Sequence, residues 1–96
     1  MIPSRVALAA IRAKLAELRA QEQSPHRSGQ RAALWRAQHE AARRGRTLQD
    51  LRGYCLEALR HPRGLDVEHE GDYLRGYRDG LQLVLSEVRR IERRGR

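Results

Sequence analysis

Val67, Leu74, Leu81 and Val88 stand seven residues apart, and Tyr77, Val84 and Ile91 repeat at the same interval beside them, with Glu70 as the polar exception. Apolar side chains at this spacing line one stripe of a helix and must be covered by another helix. The pattern therefore predicts a helix over 66–93. Within it, "GDYLRGYRDG" (71–80) carries Gly71, Gly76 and Gly80, each costing a helix interior about 1 kcal/mol relative to alanine. The frame continues on both sides of them, so a helix is expected over a loop. Gly76 and Gly80 lie four apart, beside Tyr73 and Tyr77, on the rim of the seam. That arrangement predicts a face of close helix packing, within the chain or across a dimer, made by Tyr73, Gly76, Tyr77, Gly80, Leu81 and Val84.

A second heptad row, Leu34, Ala41, Leu48 and Cys55, is accompanied by Ala37, Leu51 and Ala58. It passes through "RRGR" (43–46) without slipping and predicts one helix over 30–60, roughly 45 Å long at 1.5 Å per residue. Gly45 followed by Thr47 and Asp50, an arrangement like a capping box, is the competing signal for a break there. Pro62 and Gly64 in "HPRG" (61–64) predict the end of that helix and a reversal. Leu8, Ile11, Leu15 and Leu18 predict a first helix over 4–23 with Ser4 as its N-cap, and "SPHRSG" (24–29) has the composition of a turn. The expected fold is all-α: a three-helix antiparallel bundle built on a long hairpin (4–23, 30–60, 66–93) with a basic tail at 94–96. A seam this long on a single chain suggests a homodimer, which would cover what one copy leaves exposed.

With 96 residues, no Phe and one Trp, such a chain builds one small domain with a modest core. No segment reaches the ~20 apolar residues that span a bilayer, and Arg5, Arg12 and Lys14 interrupt the N-terminal apolar stretch, unlike a secretory signal. Cys55 is the lone cysteine, so no internal disulfide is available and a cytoplasmic setting is expected. No membrane partner and no small-molecule substrate are expected.

Local motifs argue against several chemistries. Asp66, Glu68, Glu70 and Gly71 imitate the start of a calcium-binding loop, but Leu74 and Tyr77 stand where its ninth and twelfth ligands belong. "HEAAR" (39–43) loses the second histidine of a zinc-protease helix at Arg43. His26, His39, His61 and His69 are scattered, Cys55 falls on a core row, and no phosphate-binding glycine loop is present, so no metal, cofactor or catalytic residue is assigned. The chain reads as non-enzymatic. An enzyme built from carboxylates on different helices, such as Glu68 and Asp72 on one of them, would need a concave pocket lined by Glu and His.

Charge supplies the functional expectation. The net charge is +8, and 19 of the 20 basic residues are arginine. The balance is +3 over 1–30, +5 over 31–63, −3 over 64–82 and +3 over 83–96. Positive charge concentrates at Arg43, Arg44 and Arg46 and at Arg89, Arg90, Arg93 and Arg94, which become the candidate nucleic-acid contacts. An acidic patch at 66–72 would mark the opposite end of the molecule. The plainer reading is a solubilising surface, with pairs such as Arg36–Glu40 and Arg75–Asp79 at i,i+4. Two functions remain. One is docking on DNA, RNA or a nucleoprotein assembly; the other is an adaptor or inhibitor meeting a protein through the Tyr73–Gly80 flank. No helix-turn-helix points to reading of sequence, and no interleaved aromatic pattern points to stacking of single strands.

Overall fold

A computed structural model describes residues 1–60 and 71–95. The chain is all-helical. A 3₁₀ turn (Ser4–Ala7) leads into α1 (Leu8–Ala20), followed by α2 (Pro25–Ala41), α3 (Leu48–Arg60) and α4 (Gly71–Arg94). Among the described residues there are thus four α-helices where the periodicity predicts three. The Pro62–Gly64 stop, the first five residues of the EF-hand-like run (66–70) and most of the predicted acidic patch lie outside the described residues, while the rest of that run is helical in α4.

The predicted helix 30–60 is broken. Ala42 closes α2 with its N–H on the Gln38 carbonyl at 3.1 Å, and Gly45 turns the chain at φ 76°, a left-handed conformation that glycine adopts without a Cβ penalty. Thr47 and Asp50 then start α3 reciprocally. The Asp50 amide donates to Thr47 Oγ1 at 3.1 Å and the Thr47 amide donates to Asp50 Oδ2 at 2.9 Å, an Asp version of the capping box. The Thr47 amide first, and then the Thr47 hydroxyl, hold the Asp50 carboxyl below its ordinary pKa. The heptad row nevertheless survives the break: Leu34, Ala41, Leu48, Leu51 and Cys55 are all buried, because α2 and α3 each turn that row into the same core.

The 24–29 stretch is a helix start where composition predicts a turn. Ser24 caps α2 by accepting from the Arg27 amide at 3.1 Å, with Pro25 in the first turn, where its missing N–H is least costly. Ser4 is buried and is not an N-cap; its hydroxyl donates to the Ala41 carbonyl at 2.7 Å. It thereby satisfies one of the carbonyls that the end of α2 leaves without an intrahelical partner.

The principal packing partners are α2 and α4, which are not consecutive. His26 lies against Gly76 and Asp79, Gln30 and Ala33 against Gly80, and Leu34 beside Val84. The contacts advance together along both helices, so this pair runs in the same direction and the expected antiparallel hairpin of 30–60 with 66–93 is not formed. Small residues make the approach possible. Gly29, Ala33, Ala37 and Ala41 recur every fourth position of α2 and are buried, facing the row that holds Gly76 and Gly80. A Cβ on Gly29 would strike the Tyr73 carbonyl, one on Gly76 the His26 carbonyl, and one on Gly80 would sit 2.8 Å from Ala33 Cβ.

α1 runs back along α2 in the opposite sense: Leu15 and Arg19 border Ser28 and Ala32, while Ile11 meets Leu34 and Val84. In α4 the buried set is Tyr77, Leu81, Val84, Leu85 and Val88. Leu85 widens the seam into the broader stripe of a globular helix. These residues are covered within one chain, so the uncovered seam that suggested a homodimer is absent among the described residues. No described helix is long and apolar enough to cross a membrane.

Candidate nucleic-acid interface

Three segments remote in sequence meet at one end of the molecule. The Ser4 amide donates to the Arg46 carbonyl at 2.9 Å and the Leu48 amide to the Ile2 carbonyl at 2.8 Å, stitching residues 2–4 to the α2–α3 loop. The Ile2 side chain also reaches Gly95, just past α4. The arginines of 43–46 and of 89–94 are therefore carried to the same end by these contacts, and Arg5 joins them from the 3₁₀ turn.

Two shallow grooves mark this end. One, about 350 Å³, is lined by Arg5, Arg43 and Arg46 with Met1, Gly45 and Thr47. The other, about 530 Å³, lies between α3 and α4 and is lined by Arg52, Arg89, Arg93, Ser86 and Glu92. The carboxylates present neutralise only some of the cations. Glu40 is shared by Arg43 at 3.2 Å and Arg46 at 3.4 Å. Glu92 binds Arg52 at 3.1 Å and Glu87 binds Arg90 at 2.6 Å. Among the described residues Arg44, Arg89, Arg93 and Arg94 form no ion pair, and all four are exposed. Guanidinium groups that are solvated and without a carboxylate can donate to phosphate oxygens in bidentate geometry.

The expected surface pairs are rearranged. Glu40 turns to Arg43 and Arg46 and not to Arg36. Asp79 takes His26 Nε2 at 2.7 Å, and Arg75 takes Asp72 at 3.0 Å. Arg36 instead donates to the Tyr77 hydroxyl at 3.4 Å and lies over the Tyr77 ring, 5.9 Å from its centre.

No protein-family model, curated protein or solved structure matches the chain. The functional reading therefore rests on its own residues.

Of the predicted packing face, Gly76, Tyr77, Gly80, Leu81 and Val84 are buried and face other helices of the same chain, with Tyr73 half-buried beside them. Those five residues are internal structure, and of the predicted face Tyr73 borders a surface groove. Sequence reasoning missed Arg5 and Arg52 as members of the charged end, since neither belongs to an arginine run; only the tertiary arrangement brings them in.

Other chemistry is sparse. The groove between α1 and α4, about 300 Å³, brings Glu17 and Glu87 over an apolar floor of Ile11, Leu34 and Val84. Each carboxylate is already ion-paired, Glu17 with Lys14 and Glu87 with Arg90. Among the described residues no three His, Cys, Asp or Glu side chains are placed to hold a metal ion. Cys55 is fully buried and desolvation pushes its thiol up to about 12, the opposite of an activated nucleophile.

Proposed function

We propose that the chain is a non-enzymatic basic helical module that docks on nucleic acid, free or within a nucleoprotein assembly, through its arginine-rich end. The supporting observation is the gathering of residues 2–5, 43–46 and 89–94 at one end, with Arg44, Arg89, Arg93 and Arg94 free of carboxylate partners among the described residues. Phosphate contact by these groups is independent of sequence and releases counterions. The adaptor reading is less favoured, because the flank it would use is packed inside the chain. The core does not call for a second copy, so the proposal is made for a single chain.

Anisotropy titration of labelled DNA and RNA tests it. About four phosphate contacts imply roughly a hundredfold loss of affinity between about 50 and 200 mM salt. The double variant Arg44→Gln/Arg93→Gln should flatten the log–log salt slope by about 2. Absence of binding to either polymer at low ionic strength overturns the reading, as does a salt slope that the double variant leaves unchanged.

A further inference from the structure

Trp35, the chain's only tryptophan, remains 51% exposed on α2, although its neighbours Leu34 and Ala37 enter the core. It borders a groove of about 500 Å³ between α1, α2 and the start of α4, whose lining among the described residues includes Arg19, Arg31, Arg36 and Tyr73 and no carboxylate. This groove lies toward the other end of α2 from the arginine-rich loop, and its volume is that of ordinary small-ligand sites.

The groove is ordered as well as charged. His39 packs on Trp35 with ring centres 4.1 Å apart and planes tilted by 48°. His39 Nδ1 lies 2.9 Å from the Trp35 carbonyl; a carbonyl only accepts, so Nδ1 carries the proton. The indole therefore has a neighbour that limits its rotamers. Arg36 is fixed by its contacts with Tyr77. Arg19 and Arg31 form no ion pair among the described residues.

An exposed aromatic ring with several guanidinium groups and, among the described residues, no lining carboxylate is complementary to a flat, apolar-faced group that carries negative charge on both sides. An unpaired nucleobase between its two phosphates has that form. A base in a duplex does not, because its faces are covered by the stack. We propose that this groove binds single-stranded nucleic acid, one base stacking on Trp35 while the flanking phosphates meet Arg19 and Arg31. The site is separate from the arginine-rich end, and it adds a preference for unpaired strands that phosphate contact alone does not supply.

Trp35 emission reports directly on the groove, because no other tryptophan contributes. A thymidine decamer should quench it saturably, while a duplex of equal length and a poly-glutamate peptide leave it unquenched at matched concentration. Trp35→Ala should weaken decamer binding, measured by anisotropy, roughly five- to hundredfold, with Trp35→Phe recovering part of the loss. Far-UV circular dichroism confirms that the variants fold, as expected for a half-exposed position. Arg44→Gln/Arg93→Gln should weaken duplex and single strand alike and leave the quenching amplitude at saturation unchanged, so failure of the arginine-rich end is distinguishable from failure of this site. Equal quenching by the duplex, or binding by Trp35→Ala within about twofold of the parent, overturns the proposal. Quenching by the acidic peptide at equal affinity overturns it in favour of a protein ligand.

Discussion

The Ser4 hydroxyl, donating to the Ala41 carbonyl from 37 residues upstream, does work that a continued α2 would have done with its own backbone. Ser4→Ala leaves a carbonyl in the protein interior without that donor, which costs about 1–3 kcal/mol. In a domain of this size each kcal/mol lowers the thermal midpoint by about 4–8 °C, so calorimetry should find a drop well outside error. Cys55 makes a second prediction at this scale. Its pKa is raised by burial from 9.0 to about 12, so the folded state holds the proton more tightly than the unfolded one. The resulting stability is complete below pH 9 and is lost as pH rises through the folded value. At pH 8 a maleimide or disulfide reagent should leave Cys55 unlabelled in the folded protein and label it on addition of denaturant; rapid labelling without denaturant would contradict its burial. Only the second result was legible from the heptads. Ser4 looks like a cap because nothing local reveals a bond spanning 37 residues, whereas the core placement of Cys55 follows directly from its row.

Among the helices, periodicity located the buried faces better than the helix ends. Leu34, Ala41, Leu48 and Cys55 keep a seven-residue interval across a break between two helices, so an unbroken frame does not by itself show an unbroken helix. Gly45 and the Thr47–Asp50 box carried the contrary information, and they prevailed because they act on backbone geometry directly. Ser24-Pro25 was ambiguous for the opposite reason: the residues that make a turn also make the first turn of a helix. The glycines of α4 were read correctly as packing residues, but their partner, α2, was not readable, since the sequence does not say which faces meet. Two substitutions separate packing from propensity. Gly76→Ala places a methyl on the His26 backbone and should destabilise by about 1–3 kcal/mol despite its propensity gain. Gly53→Ala, whose Cβ meets nothing within 4 Å among the described residues, should stabilise by about 0.5–1 kcal/mol. Urea melts of both variants check this, and a stabilised Gly76→Ala would refute the close α2–α4 approach.

For the whole molecule, charge was the easiest property to foresee and its geometry the hardest. The arginine runs are visible in the sequence, but their meeting depends on two backbone hydrogen bonds from residues 2–4 and on Ile2 touching Gly95. A net charge of +8 on so small a body is self-repulsive, and the exposed ion pairs that oppose it are individually weak. Raising salt from about 10 to 150 mM shortens the screening length from about 30 to 8 Å, so the thermal midpoint should rise over the range in which nucleic-acid affinity falls. A falling midpoint would mean that pairs such as Arg52–Glu92 outweigh the repulsion. The contact between Ile2 and Gly95 has one more consequence. Residues 2 and 95 adjoin, so a short Gly/Ser bridge could join them and new ends could be opened at the surface loop between α1 and α2. Such a circular permutant should preserve all four helices while removing free ends from the arginine cluster, allowing an affinity tag to be attached on the far side of the molecule.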